Sequence, residues 1–431
     1  MTPAIVRFKN KFANYLTGTV SIPIIAQLWV IPIQIFYFSN ISVFSVLANI
    51  MSVPILAVIS FGGFISALLC AIKPFASFIC MTFDFVLNPV LTLLINISDF
   101  WGHLPNATIQ TTHPNVFQIL VYYGILLCIT AFLYKDFREK YMKIILKSFL
   151  GLLAILLLTL IPVKNKNLEI ITFDVGNADC FLLKTPQNEF IMIDSGKSGY
   201  NGGKSQAEII MLKYLKDIGI KKLHSLIITH FDNDHCGGAV DIMNKLDVEK
   251  VYLNDLNHTS HSAKSIYNTA KNKNIKILLA SNNQLIYNNN GLKLTNLVGS
   301  NTDDDNENSI ITLLEYKKFK MLFTGDASFN GIKQVLNYIP QNITVLKVPH
   351  HGAIGGLETN LVHYLNPKYS IISVGENMFG HPAQYTLSIL NKSNILRTDI
   401  NNSILIKVTE NSYKIYTYDS RKRKYILNKN N

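Results

Sequence analysis

Through residue 163 the hydrophobic positions run in long unbroken stretches; beyond it they retreat into short β-branched or alternating runs separated by polar loops. Apolar stretches at roughly 20–38, 43–72, 76–100, 116–134 and 144–163 approach or exceed the ~20 residues a membrane-spanning helix needs, which predicts five spans. Pro32 and Pro54 interrupt the first two, and the third carries Asp84, Pro89 and Asp99. One of these three is therefore a candidate for a re-entrant or interface-lying segment. From Asn167 the pattern predicts strands over 168–174, 179–184, 189–194, 224–229 and 249–253, and helices over 205–218 and 237–246. A hairpin over 309–324 and strands over 343–348 and 369–374 follow. Strands interleaved with helices predict an α/β or α+β domain. The polar stretch Val163-Lys164-Asn165-Lys166-Asn167 is the predicted linker, dividing a membrane domain, 1–163, from a soluble domain, 164–431.

Charge gives these spans a direction. Residues 135–143 carry four positive side chains and 101–115 none, so the excess of positive charge on cytoplasmic loops predicts 135–143 inside. Arg7, Lys9 and Lys11 precede the first span, and five crossings from there place the soluble domain on the outer face. Gln27, Gln34, Asn40 and Asn49 form a polar strip that either stitches helices together or lines a path. A net charge of +12 suits a polyanion or anionic lipid, and equally a composition biased towards Lys, Asn and Ile. The run Arg421-Lys422-Arg423-Lys424 reads as a solvated end. Cys70, Cys80, Cys128, Cys180 and Cys236 form no CxxC pair, which argues against a disulfide framework or a cysteine zinc site; Cys180 and Cys236 read as small packing residues. No cleavable signal peptide is evident.

The candidate chemistry sits at strand ends. His230, Asp232, Asp234 and His235 fall within six residues after the apolar run 226–229, and Gly237-Gly238 follows them. Imidazole and carboxylate suit Zn²⁺ or Mn²⁺, and two ions can share such a cluster. The plain alternative is an Asp-Asn-Asp turn capping the next helix. Three further strand ends carry Gly325-Asp326, Pro349-His350-His351-Gly352 and Gly380-His381-Pro382, and Asp194-Ser195-Gly196 ends another. Asp326 has two oxygens with which to bridge metals. Adjacent side chains on an extended segment point oppositely, so one of His350 and His351 is expected as a ligand and the other as its support or a substrate contact.

The order Asp174-Val-Gly-Asn-Ala-Asp179, Ile193-Asp-Ser-Gly196, Thr229-His-Phe-Asp-Asn-Asp-His-Cys-Gly-Gly238, Asn308-Ser309, Thr324-Gly-Asp326 and Leu346-Lys-Val-Pro-His-His-Gly352 resembles the metallo-β-lactamase superfamily. More narrowly, it is similar to the carboxy-terminal domain of the ComEC competence family, which carries His-x-Asp-x-Asp-His; Gly380-His381-Pro382 and Arg397-Thr-Asp399 fit that subgroup. Ala26-Gln27-Leu28 and Leu47-Ala-Asn-Ile-Met-Ser-Val-Pro54 resemble the end of the family's membrane domain. The resemblance implies an α-helical polytopic membrane region followed by an αββα sandwich with a di-metal site. It implies metal ligands at His230, Asp232, Asp234, His235 and Asp326, completed by His350 or His351, with His381 near the substrate and Asp234 or another carboxylate accepting a proton. It implies a plasma (inner) membrane location in a bacterium and a part in DNA uptake, the DNA being bound without sequence preference as single or double strand and hydrolysed at its phosphodiesters. Two departures stand out. Asn177-Ala178 replaces the usual Gln-Gly, and the chain begins partway through the usual membrane domain, without an OB-like module. The second departure leads to the expectation of a separate amino-terminal partner or other competence proteins. It also keeps open a noncatalytic transport subunit, and a hydrolase of small or lipid-linked phosphodiesters.

Overall fold

The computed structural model describes residues 3–161, 166–200, 203–299, 302, 304–422 and 424–428. Val163-Lys164-Asn165 of the predicted linker and Arg423 of the last basic run lie outside the described residues. The chain divides into two compact units, Met1–Pro162 with Lys216–Gly219 and Val163–Leu215 with Ile220–Asn431.

In the first unit, helices Pro3–Phe38, Ser45–Leu69, Ala76–Gly102, Val116–Leu133 and Lys135–Leu160 follow one another. Five helices among the described residues are long and apolar enough to cross a membrane. The prolines do not break them: Pro32, Pro54 and Pro89 each lie inside a continuous helix. Pro32 has no N–H for the carbonyl four residues earlier, and in lipid an orphaned carbonyl is costly. The Tyr122 hydroxyl donates to that carbonyl, Leu28 O, at 3.0 Å, and Tyr123 donates to Trp29 O at 2.9 Å. Half of the polar strip is satisfied within one helix, since Gln27 Nε2 donates to Gln34 Oε1 at 3.2 Å. Asn40 belongs instead to a short strand, Asn40–Ser42, paired with Thr108–Gln110. Residues 135–143, expected as a connection, begin the fifth helix as a short helical segment that a kink at Tyr141 (φ −124°, ψ 16°) sets off from the apolar run. Lys135 and Glu139, one turn apart and 4.0 Å from each other, suit that conformation. Helices two and three approach closely at Gly62, where a Cβ would lie 2.8 Å from Leu87 Cδ2.

The second unit is a sandwich of two sheets with helices on both outer faces. Across the first sheet the strands run Lys276–Leu279, Lys250–Leu253, Ser225–Ile228, Phe190–Ile193, Phe181–Lys184, Leu168–Thr172, Ile404–Val408, Tyr413–Asp419 and Lys424–Leu427. Across the second they run Gln284–Asn289, Leu292–Leu297, Ile311–Tyr316, Phe319–Phe323, Val345–Lys347, Tyr369–Ile372 and Asn394–Arg397. The two-residue period of a strand sorts its side chains between layers. Ile170, Leu183, Ile191 and Ile227 enter the core shared by both sheets, with Met321, Val345 and Tyr369 from the other side. Their neighbours Ile171, Leu182, Met192 and Leu226 face outwards under the helices Ala239–Lys245 and His261–Asn272. The second sheet does the same with Leu322, Leu346 and Ile372 under Phe329–Gln334 and Thr359–Leu365. The sheets meet in an edge-to-face contact between Phe181 and Phe323, 5.1 Å between ring centres.

This topology decides where the chemistry gathers. Phe190–Ile193 and Ser225–Ile228 are parallel neighbours, so Asp194 and Thr229 leave the first sheet side by side. Phe319–Phe323, Val345–Lys347 and Tyr369–Ile372 are likewise parallel, so the loops beginning at Thr324, Val348 and Ser373 leave the second sheet together.

Candidate metal centre

His230 follows its strand directly, and Asp232 starts the single turn Asn233–Cys236 by accepting hydrogen bonds from His235 N and Cys236 N, both at 3.0 Å. That turn aims His235 back at the strand end. Gly237 is required where the turn meets the 196–198 loop, because a Cβ there would lie 2.1 Å from Ser198 N. Gly325, at φ +52°, brings the backbone before Asp326 against Thr229 and Ser309. Pro349-His350-His351-Gly352 is not extended. Both histidines adopt left-handed backbone angles, with φ 49° and 52°, so they do not point to opposite sides. His351 is buried and its Nε2 lies 3.6 Å from Asp326 Oδ2; His350 is 39% exposed and its Nε2 lies 3.9 Å from the same oxygen.

Each buried imidazole is fixed through Nδ1. Asp194 Oδ2 lies 2.8 Å from His235 Nδ1, while the same carboxylate accepts from Thr229 N and Thr229 Oγ1. Ser373 O lies 2.7 Å from His351 Nδ1, and Thr229 Oγ1 and Ser309 Oγ lie 3.1 and 3.3 Å from His230 Nδ1. Holding one ring nitrogen sets the direction of the other. The Nε2 atoms of His230, His235 and His351 are buried and have no hydrogen-bond partner. Buried polar atoms are rarely left that way, and three imidazole nitrogens left free beside carboxylates fit a cation. Two of the groupings with ligand atoms within 4.8 Å of one another are His230 with His235 and Asp326, and Asp234 with His235 and His351. His235 belongs to both, and Asp326 reaches towards each: its Oδ1 lies 3.2 Å from His235 Nε2 and its Oδ2 3.6 Å from His351 Nε2. Asp234 Oδ2 lies 3.4 Å from His351 Nε2, and Asp232, with 56% of its side chain exposed, lies 3.6 Å from His230 Nε2.

The electrostatics agree with that reading. Burial alone would strip His235 of its proton, but Asp326 and Asp194 outweigh it and raise its pKa well above the ordinary value. His351 is also raised, burial being outweighed by Asp326 and Asp234. Burial pushes Asp234 upwards, yet His351 and His235 hold it at about 2; Asp326 is held well below the carboxylate range, against burial, by His235, His351 and Lys347. A dense group of buried carboxylates demands positive charge, from imidazolium protons or from a divalent cation that displaces them.

All seven proposed ligand positions, His230, Asp232, Asp234, His235, Asp326, His350 and His351, come together, and His381 sits beside them with its ring 5.7 Å from that of His350. Cys236 is a packing residue, its thiol donating to Phe231 O and pushed up to about 12 by burial. Arg397 pairs with Asp399, and Thr398 bonds both backbone groups of Val374, so that motif braces the loop after Ile372. The unusual Asn177-Ala178 leaves the first turn closed, with Ala178 N donating to Gly176 O at 3.0 Å. Asp194 stood among the strand-end candidates, and Asp179 and Lys347 within the motifs, but the sequence reading assigned none of the three a specific role. Lys347 is fully buried; its ammonium donates to Gly325 O at 2.7 Å, lies 3.4 Å from Asp326 Oδ1 and pairs with Asp179. A lysine inside the apolar run 345–348 was the available signal.

Residues 1–136 match the family described as Competence protein, and residues 173–376 the Metallo-beta-lactamase superfamily. The chain is similar to ComE operon protein 3 of Bacillus subtilis (strain 168), 26% identical over 402 residues, covering 89% of this chain and 51% of that one. It is similar to Recombination protein 2 of Haemophilus influenzae (strain ATCC 51907 / DSM 11121 / KW20 / Rd), 32% identical over 211 residues, covering 48% of this chain and 24% of that one. The chain thus spans about half the length, or less, of these relatives. Among solved structures, Igni18, a metallo hydrolase from Ignicoccus hospitalis KIN4/I, is 15% identical over 56% of this chain and all of its own, with a TM-score of 0.37.

Proposed function

We propose, on the premise that the chain carries a ComEC-type competence domain followed by a metallo-beta-lactamase superfamily domain, that it is a bacterial plasma-membrane protein of DNA uptake whose soluble unit hydrolyses DNA phosphodiesters. The observation that carries the hydrolytic reading is the set of three buried, unpartnered Nε2 atoms around Asp326. The donor set suits two zinc or manganese ions, one near His230, His235 and Asp326 with Asp232 beside them, the other near Asp234, His235 and His351 with Asp326 Oδ2 beside them. Cations bound there would polarise a phosphoryl oxygen and lower the pKa of a water. The side chains do the rest. Asp326 offers one oxygen towards His235 and the other towards His351, which suits a bridging position. Asp234, held at about 2, is a poor proton acceptor and is assigned to holding metal. His381 suits the acceptor role better: burial, His350 and His351 lower its pKa, so its ring is neutral at neutral pH, and its buried Nδ1 has no partner. His350, partly exposed beside it, faces the substrate. The DNA assignment draws support from the relatives' competence and recombination names and from the net charge of +12.

The test is cleavage of a labelled oligonucleotide by the purified full chain with Mn²⁺ or Zn²⁺. Asp234→Ala should lower the rate by at least about 100-fold, the upper range for losing even a group that only orients a ligand. An unchanged rate would remove Asp234 from the site. Hydrolysis of a lipid-linked or small phosphodiester without DNA cleavage would reassign the substrate, and bound metal with no hydrolysis of any of these would favour a noncatalytic transport subunit. The four positive residues of 135–143 support an outward-facing soluble unit. Protease added to intact cells should therefore digest residues beyond 167 and leave the helices; a protected soluble unit would reverse the orientation.

A further inference from the structure

Phe379 stands in solvent beside the metal-type cluster, 74% exposed, and Met378 next to it is fully exposed. A single exposed phenyl ring is ordinary by itself, but this loop is built to hold it out beside the cluster. Asn377 Oδ1 accepts from Phe379 N at 3.1 Å and from His381 N at 3.0 Å, while its Nδ2 donates to Gly375 O at 2.8 Å and His381 O at 2.9 Å. One side chain thus pairs four backbone groups of the loop without using the Phe379 ring. Gly380, at φ +75°, reverses the chain between Phe379 and His381, which lets their rings stack with centres 5.7 Å apart and planes inclined by 28°. His381 in turn meets His350 edge-on at 5.7 Å, and His350 Nε2 lies 3.9 Å from Asp326. The rings form an unbroken row from solvent to the bridging carboxylate.

We propose that Phe379, backed by His381, is a stacking ledge for an unpaired nucleobase of a single-stranded nucleic acid whose neighbouring phosphodiester lies at the metal-type cluster. The inference rests on the phosphodiester reading above and narrows it. An aromatic face beside a phosphodiester site recognises a base without regard to sequence, because every base has a π-face. A base inside a duplex has both faces covered by its neighbours, so the ledge selects unpaired strands or frayed ends. The net charge of +12 complements the phosphate backbone that such a strand brings.

The test uses the full-length protein in detergent with EDTA present, so that nothing is cleaved, and an oligonucleotide carrying 2-aminopurine. Binding to the wild type should quench the 2-aminopurine fluorescence. Phe379→Ala should abolish the quench and weaken binding about tenfold, within the range for losing one stacked base. Phe379→Trp should keep both, and an abasic strand should bind wild type and Phe379→Ala alike. Equal affinity of wild type and Phe379→Ala for the base-bearing strand would overturn the ledge, as would equal weakening for base-bearing and abasic strands. A Phe379→Ala defect confined to binding of anionic lipid vesicles or to self-association would overturn it too. Cleavage of oligonucleotides by the metal-loaded wild type separates the two readings: if it occurs, only the ledge has failed, and if the wild type neither binds nor cleaves any strand, both have.

Discussion

Replacing Asp326 with alanine should leave the purified chain unable to retain divalent metal through gel filtration, with an affinity at least about 100-fold below wild type. The reason is position. Among the described residues Asp326 is the one carboxylate within 4 Å of three imidazoles, with Oδ1 3.2 Å from His235 and Oδ2 3.6 and 3.9 Å from His351 and His350. Its loss removes a donor from both proposed ion positions at once, whereas His230→Ala removes one donor from one position and should give the smaller defect. The sign of the pH dependence follows from the same carboxylates. They raise His235 and His351 above the ordinary imidazole value, so protons hold those nitrogens to a higher pH than usual. Metal uptake by the wild type should therefore release protons and strengthen as pH rises through neutrality. Elemental analysis and calorimetry in two buffers of different ionisation enthalpy would measure both. Retention of full metal content by Asp326→Ala would mean that the imidazoles and Asp234 alone hold the ions.

What could be read from the chain, and what could not, divides along physical lines. Apolar length and β-strand alternation are local, so the five long helices, the strand ends and the cluster from His230 to His235 were visible without coordinates. Adjacency across a sheet is not local. That Asp194 leaves beside Thr229 and takes the Nδ1 side of His235 depends on parallel pairing of two strands separated by a helix. The turn at His350 and His351 was misjudged for a different reason: two consecutive left-handed non-glycine residues are costly in isolation, and only the packed surroundings sustain them. Pro32 looked like an interruption because the partner that takes up the freed carbonyl, Tyr122 for Leu28 O, lies some 90 residues away in the chain.

Lys347 is where sequence reasoning lost most, and its removal should have the largest effect on stability. Lys347→Met keeps most of the side-chain volume and deletes the charge. The ammonium has no exposed surface, and its partners Asp179 and Asp326 are buried with it, so the variant would strip Asp179 of its ammonium and leave only the His235 and His351 imidazoles, 3.7 and 3.9 Å away, beside its charge. Breaking one side of a buried ion pair costs about 3–5 kcal/mol. Pulse proteolysis in urea on the full chain would read the loss as a shift in the midpoint for cleavage of the soluble unit. Lys347→Arg should not restore it, since a planar guanidinium needs more room than the filled strand interior between Leu346 and Val348 allows. Asp179→Asn added to Lys347→Met should recover much of the loss by removing the stranded charge, and the double-mutant cycle would give the coupling directly. Burial lowers the Lys347 pKa, yet Asp179 and Asp326 outweigh it and raise the value above 10.5. The stabilisation is therefore complete below the unfolded value and lost only as pH rises through the folded one. Asp326, shifted down, contributes above its ordinary 3.8 and fails only as pH falls past that range. Lys347 itself stays charged through the neutral range, so any change with pH in the gap between wild type and Lys347→Met near neutrality should come from His350 and His351, whose pKa values Lys347 lowers. Equal midpoints for wild type and variant would mean that Asp179 sheds its charge or finds another partner, and that the buried lysine serves only to aim Asp326 Oδ1.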